Sequence, residues 1–527
     1  MKEPVAEPVL TDQEAFSPAP PSRFLTSVLW NWLGVGVSLF IGFVLSPIIV
    51  RRLGAERYGI WALVFALLDY FWFFDFGMNT AIVNFSARYR TANEPEKLNE
   101  LINTALAFFS VISVVLVGST LLVSSHSAVL FPGVSPIYRV EFSRLILLTG
   151  LSWSGFVLLH IFTSCLDGFQ RFELTSRAWI AMLMVRGVGC LVLVLNGYGL
   201  LEMAVMVVIG QLLCYLVNFW NFSRIFPGLR FGRVLIRWGM FREMTHYGVH
   251  SFVATAANLL LNQGPALVTG HLLPTAFVGF FSLPLRLLQY GVDAVSRVGI
   301  VTRSRSAALD TSEDYQSVLR LGIYTNRYCF AIFMPVVLFL LLYGKELITK
   351  WISAEFAANS APLLPILAPA VAIAMAGQFN SSSILFGLGK HQWYSRVLLA
   401  EAVVSIALMW LVIPQHGILG AAWVVSILML LSRGIITPWI VSRSVNVSFG
   451  YYMNSIYMAP VLTAAPIFAL GWFLKSHLLA GANWIQLGAA AVLLSSLYLV
   501  AALFTCMEAE HRQHLWDWVR PPQKTIV

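Results

Sequence analysis

"RRLGAERYGIWALVFALLDY" (residues 51–70) and "HLLPTAFVGFFSLPLRLLQY" (residues 271–290) align when the chain is shifted by 220 positions. Leu53 falls on Leu273, Gly59 on Gly279, Leu67 and Leu68 on Leu287 and Leu288, and Tyr70 on Tyr290. Two later pairs keep nearly the same shift. "DGFQRFELTSR" (167–177) falls on "FGLGKHQWYSR" (386–396), and "LNGYGLLEMA" (195–204) on "IPQHGILGAA" (413–422). Ordered matches at one period are the signature of a duplicated unit.

The surrounding chain is 527 residues long, 58% hydrophobic and only 11% charged. Its mean hydropathy is +0.76. A soluble domain carries about 25% charged residues, so this chain reads as an integral membrane protein, all-α and polytopic. A helix needs roughly 20 apolar residues to cross the hydrocarbon core. About fourteen runs qualify, from 24–50 to 482–506. Among them the second covers 59–85, the seventh 246–273, the eighth 274–301 and the eleventh 393–414.

Spans one to six and seven to twelve then form two copies of a six-helix unit, and spans thirteen and fourteen are an addition. The implied domains are a disordered cytoplasmic tail (1–23), an N-lobe (24–226), a basic cytoplasmic linker (227–245), a C-lobe (246–450), the two extra spans (451–506) and a cytoplasmic tail (507–527). Copies with an even number of spans share an orientation. Such parallel repeats relate by an axis along the membrane normal, with the transport path at their interface.

With both termini in the cytoplasm, twenty-two of the 34 Lys and Arg lie inside and eight outside. Arg186, Arg286, Arg327 and Arg433 fall within spans. This follows the positive-inside rule, and it accounts for the net charge of +9 without any nucleic-acid partner. The stretch "NFSRIFPGLRFGRVLIRWGMFREMTHYG" (221–248) is the longest basic one and reads as a topology signal with an interfacial amphipathic linker, or as a contact with anionic lipid headgroups. The five cysteines are scattered and read as core packers. No metal-ligand spacing, nucleotide-binding loop or Ser/His/Asp arrangement is present, so neither metal nor cofactor is expected, nor a catalytic residue.

Ionisable side chains at membrane depth are costly and mark functional or paired positions. In span eight Arg286, Gln289, Asp293 and Arg297 share one helical face by their 3, 4, 4 spacing. Span seven carries Ser251, Thr255, Asn258 and Asn262 on one face, and span one carries Asn31, Ser38 and Gly42. Asp69 in span two is the repeat partner of Gln289. Arg186 and Glu401 sit near the middles of spans five and eleven. An interior ion pair between them is expected, with Glu202 as another partner for Arg186. Arg327 and Arg433 are expected to snorkel. Asp75 is expected to contact nearby backbone, and the aromatic run "DYFWFFDFG" (69–77) to pack between helices or, on the cavity side, to stack on sugar rings.

"RRLGAERYGIWALVFALLDYFWFFDFGMNTAIVNFSARYR" (51–90) resembles the first hairpin of bacterial oligosaccharide flippases of the multidrug/oligosaccharidyl-lipid/polysaccharide (MOP) superfamily, through Leu53, Gly54, Tyr58, Gly59, Asp75, Gly77, Arg88 and Arg90. "LFGLGKHQWYSR" (385–396) resembles a Gly-x-Gly-Lys stretch of the same family through Gly387, Gly389 and Lys390. The resemblance implies a V-shaped cavity between two lobes, a bacterial inner membrane and alternating access. The implied cargo is a polyprenyl-diphosphate-linked oligosaccharide, with membrane lipids, a proton or sodium ion, and the polysaccharide polymerase and glycosyltransferases as further partners.

A diphosphate needs cationic hosts. Arg286 and Arg186 are the first candidates, with Arg51 and Arg52 at the outer mouth. Asn31, Asn258, Asn262 and Gln289 suit sugar hydroxyls, and Asp69, Asp293 and Glu401 suit charge balance or ion coupling. The rival readings are a cation-coupled drug or metabolite exporter of the same superfamily, a polytopic glycosyltransferase or polymerase, and a nonspecific lipid scramblase.

Overall fold

The structure is a computed structural model that describes residues 21–296, 302, 306, 315–477 and 483–519. Most of the expected N-terminal tail and the end of the C-terminal one lie outside the described residues, as do Arg297, Arg303 and Arg305. The described residues are helical, with no strand among them. The chain divides into two compact units, Met1–Gly279 and Phe280–Val527.

The first unit contains α1 (Pro21–Asp69), α2 (Met78–Thr91), α3 (Pro95–Ser125), α4 (Arg139–Gly168), α5 (Phe172–Leu195), α6 (Leu200–Ile225) and α7 (Trp238–Leu272). The helix α8 (Ala276–Ser296) begins at its end. In sequence α7 opens the second copy, yet it packs on α1, α2 and α3. A core of Ile82, Leu98, Ile102, Phe109, Phe162 and Phe222 joins α2, α3, α4 and α6.

The second unit contains α9 (Tyr315–Trp351), α10 (Leu364–Met375), α11 (His391–Met429), α12 (Thr437–Ser444), α13 (Phe449–His477), α14 (Trp484–Thr505) and α15 (Ala509–Val519). Buried tyrosines tie this unit by donating to backbone oxygens. Tyr343 bonds Gly471 at 3.0 Å, and Tyr457 bonds Ile373 at 2.8 Å. Such a hydroxyl must find a partner away from water.

Ten helical stretches among the described residues are long and apolar enough to cross a membrane. Two of them each cover two of the expected spans. Trp32–Asp75 takes in span one and most of span two, and Gln392–Ser444 takes in spans eleven and twelve. The helical path breaks at Gly54 (φ 87°) and Gly417 (φ 58°), where only glycine adopts the left-handed region cheaply. Expected spans seven and eight fall on α7 and α8, which are not among the ten; their polar side chains lower the mean hydropathy. The full count of fourteen is therefore not reached by apolarity alone.

Expected span two, 59–85, is not one helix. It stops at Asp69, continues as a tight 3₁₀ helix over Tyr70–Asp75, and restarts as α2 after Phe76 (φ 49°) and Gly77 (φ 77°). Two successive left-handed residues cannot continue an α-helix.

The duplicated turns meet each other. A Cβ on Gly59 would collide with the Thr275 carbonyl oxygen, and one on Gly279 would lie 3.0 Å from the Tyr58 ring and 3.6 Å from the Ala55 oxygen. In the repeat frame Ala55 corresponds to Thr275. Each turn glycine thus faces a backbone oxygen of the other turn, Gly59 closely and Gly279 more loosely.

The basic linker is clamped along α3. Asn99 donates to the Gly228 oxygen at 2.9 Å and accepts from the Arg230 N–H at 2.8 Å. Asn103 does the same with the Arg230 oxygen at 2.7 Å and the Gly232 N–H at 2.9 Å. Held this way, the linker leaves Val234 and Trp238 among the most exposed apolar residues described, a pattern suited to the interfacial region of a bilayer.

Gly59→Ala is expected to lower the thermal midpoint of the purified protein in detergent strongly, by an overpacking cost of about 1–3 kcal/mol or more. Gly36→Ala, where nothing lies within 4 Å of the added carbon, is expected to leave it unchanged or slightly raised. Equal midpoints for the two variants would refute the close contact.

Candidate functional site

The break in span two organises a polar site within the first unit. In a 3₁₀ helix residues three apart eclipse one another, so Asp69, Trp72 and Asp75 fall along one line. Asp75 Oδ1 accepts from the Asn79 N–H at 3.1 Å and from Asn79 Nδ2 at 2.6 Å. Asp75, the residue expected to contact nearby backbone, thereby satisfies one N–H in the first turn of α2, whose N-cap position is Gly77. The N-terminus of α2 is occupied by the chain's own carboxylate.

Asn79 passes the geometry on. Its Oδ1 accepts from the Ser164 hydroxyl at 2.9 Å and lies 3.1 Å from His160 Nδ1. The His160 ring stands edge-on to Trp72, with centroids 4.8 Å apart, and to Tyr215 at 5.9 Å. These rings form part of the wall of an open cavity of about 420 Å³ lined by α1, the 3₁₀ segment, α4, α5 and α6.

Trp153 and Trp179 add two further aromatic faces, while Thr163, Gln211 and Asn218 add neutral polar groups. Trp179 fits because Gly34 has no side chain, as a Cβ there would strike its ring. Asn218 is 1% exposed and donates to the Thr163 hydroxyl at 3.0 Å, while its side-chain oxygen has no hydrogen-bond partner. Asp69 also lines the cavity and accepts from Gln263 of α7 at 2.6 Å.

The expected site residues are distributed over both units. In the first, Arg51 and Arg52 are exposed just before the break at Gly54. Arg186 is half-buried on α5, with its Cβ facing Gly210 of α6. Asn258 is half-buried and Asn262 exposed on α7. The Asn31 side chain lies outside the described residues. In the second unit Arg286 and Gln289 are exposed on α8, and Gln289 donates to Asp293 at 2.7 Å. Among the described residues no carboxylate forms an ion pair with Arg286.

Two pairing expectations are corrected. Glu401 pairs with Arg433 of its own unit at 3.0 Å, both side chains being nearly fully buried. Ser432 donates to Glu401 at 2.5 Å, and Arg433 donates to Gln378 at 2.8 Å. Arg433 therefore does not snorkel. It lies in a π-helical stretch, Leu430–Ile436, that meets a second one, Ala376–Ser381, where Gly377 packs directly on the Arg433 carbonyl. Glu202, expected beside Arg186, instead caps α6 by accepting from the Gly199 N–H at 2.9 Å.

Sequence reasoning missed Gln263, the aromatic cavity and the outer-turn contacts. Arg57 pairs with Glu141 at 3.3 Å, and Glu56 accepts from the Ser135 N–H at 3.0 Å. The Asp-x-x-Trp-x-x-Asp period was the available signal for the cavity.

Glu401→Ala is expected to cost about 3–5 kcal/mol, because Arg433 is left charged and unpaired in an apolar interior. The double variant Glu401→Met/Arg433→Met is expected to recover most of that loss in a thermal melt in detergent. A double variant as unstable as the single one would contradict this reading.

Comparison with known proteins places the chain. A family model described as polysaccharide biosynthesis protein matches residues 24–297. The chain is 20% identical over 425 residues to a "Putative O-antigen transporter" of Shigella flexneri, covering 80% of this chain and 98% of that protein. It is 22% identical over 511 residues to the "Uncharacterized membrane protein EpsK" of Bacillus subtilis (strain 168), covering 93% and 97%.

Among solved structures, lipid II flippase MurJ in an inward closed conformation is similar, with a TM-score of 0.71 at 14% identity over 94% of this chain and 100% of that one. An inward-facing MATE family multidrug resistance transporter of the MOP superfamily is also similar, with a TM-score of 0.63 at 14% identity over 78% and 98%. These likenesses show a shared polytopic helical fold. The family match spans more than half of the sequence, and the chain belongs to the polysaccharide biosynthesis protein family.

Proposed function

We propose that this protein is a transporter, not an enzyme, and that it moves a polyprenyl-diphosphate-linked oligosaccharide from the inner to the outer leaflet by alternating access. The proposed setting is a bacterial inner membrane, with both termini cytoplasmic. Family membership, the relative named for O-antigen transport and the fold shared with a lipid II flippase support this reading.

The observation that carries the cargo class is Arg286. It is exposed ten residues into the 21-residue helix α8, with no ion-pairing carboxylate among the described residues. A cation at the centre of a membrane helix costs at least about 2.5–3.5 kcal/mol, a cost that an anionic cargo group offsets. In this reading Arg286 and Arg186 host the diphosphate, and Arg51 and Arg52 receive it on exit. Asn31, Asn258, Asn262 and Gln289 bond sugar hydroxyls. Asp69 and Asp293 serve charge balance or proton or sodium coupling, and Glu401 balances Arg433. Membrane lipids, a polysaccharide polymerase and glycosyltransferases are the proposed partners.

Asp69 on the cavity wall favours a second reading, export of a cationic drug or metabolite. The two are separated by deleting the gene in a host lacking related flippases and analysing the membrane lipids by mass spectrometry. Flipping predicts accumulated polyprenyl-diphosphate oligosaccharide, shielded from probes added outside the inner membrane. Unchanged lipid intermediates with altered sensitivity to cationic drugs would assign export.

In the same host, Arg286→Ala is expected to reproduce the deletion at normal protein level, with transport reduced at least about tenfold, equivalent to 1.4 kcal/mol. Full transport by this variant would remove Arg286 from the role.

A further inference from the structure

We infer that the cavity inside the first unit is a sugar-reading site that takes one or two sugar rings of the cargo glycan and so selects which glycan is moved. This rests on the transport reading above and adds a site to it, because the residues proposed to hold the diphosphate do not line this cavity.

The chemistry of the wall favours a neutral carbohydrate. A pyranose has hydroxyls around its edge and apolar C–H faces above and below. Trp72, Trp153 and Trp179 supply flat aromatic faces, and Thr163, Gln211 and Asn218 supply neutral donors and acceptors. Among the described residues no lysine or arginine lines the cavity, so a diphosphate finds no counter-charge among them. The one acid among the described lining residues, Asp69, is already engaged by Gln263.

A volume of about 420 Å³ lies within the range of small-molecule sites, roughly 300–1,000 Å³. A prenyl tail in it would leave the Thr163, Gln211 and Asn218 groups desolvated without new partners. The unpartnered oxygen of Asn218 at its wall is an acceptor that a ligand hydroxyl or an ordered water would satisfy after a small rotation of the amide.

The selectivity follows from the same features. A site that hydrogen-bonds hydroxyls rejects analogues lacking them more strongly than an apolar pocket rejects a missing methylene. The rings are also pre-positioned. Trp72 is held through His160, Asn79 and Asp75, and Trp179 is seated against Gly34. Orientation of the aromatic faces is therefore set before cargo arrives, which lowers the ordering cost of binding.

The test uses the full-length protein and two readouts. In the deletion host, Trp179→Ala, Gln211→Ala and Gly34→Ala are compared with wild type for cytoplasm-facing polyprenyl-diphosphate oligosaccharide, at matched protein level and thermal midpoint. Gly34→Ala removes no polar group and acts only by pushing Trp179 into the cavity; Trp179→Phe is the conservative control. In detergent, the same proteins are titrated with sugar-free polyprenyl diphosphate and with ethidium.

The expected result is transport lowered about tenfold or more in the three variants, largely retained in Trp179→Phe, with binding of sugar-free polyprenyl diphosphate unchanged. Wild-type transport in all three variants would overturn the sugar site and leave the flippase reading standing. Loss of sugar-free lipid binding in step with transport would assign the cavity to the lipid. Ethidium binding that is lost in Trp179→Ala would assign it to cationic cargo. Failure of wild type itself to clear the intermediate would instead sink the flippase reading.

Discussion

A helix broken inside a bilayer must satisfy its freed backbone groups from its own chain, because the surroundings offer no water. The break at residues 70–77 meets this constraint through Asp75, whose carboxylate accepts from both the backbone and the side chain of Asn79. The His160 side of the first unit's cavity depends on that contact. Asn79 orients His160 and Ser164, and His160 positions Trp72 and Tyr215. A carboxylate that in sequence reads as a local backbone contact thus sets the wall of a cavity.

The second unit solves a related problem differently. Two π-helical stretches cross where Gly377 packs on the Arg433 carbonyl. The arginine's charge is neutralised by Glu401, with Ser432 and Gln378 completing the hydrogen bonds. A buried ion pair is weak as a source of stability, because desolvation consumes much of its attraction. Its geometric demand is strict, however, since both partners need their remaining groups bonded. Irregular backbone near paired charges is where functional motion often sits, and the same residues here also hold α11 to the helices beside it.

Much was legible without coordinates. The apolar composition required a polytopic helical protein, and the 220-residue shift located the turns that meet through Gly59 and Gly279. Asp75 was correctly read as a local contact. The break of span two was not anticipated, because an apolar aromatic run looks the same in an α-helix and a 3₁₀ helix. The change of path is carried by two backbone angles at Phe76 and Gly77. The Arg186–Glu401 pair failed for a different reason. Equal depth in a repeat frame does not select a partner, and Glu401 pairs with Arg433, 32 positions on in its own unit.

Composition, charge bias and periodicity are properties of many residues at once, so the sequence by itself determined the membrane class and the positions of polar side chains along each helix. Which polar groups meet depends on a few ångströms of helix packing and on single dihedral angles. That choice was made only in the tertiary structure. It paired Glu401 with Arg433, turned Gln263 onto Asp69, and gathered Trp72, Trp153 and Trp179 from three separate segments around one cavity. Hydrogen bonds and ring contacts are short-ranged, and no pattern along the chain encodes a contact whose partners are set by how separate helices pack.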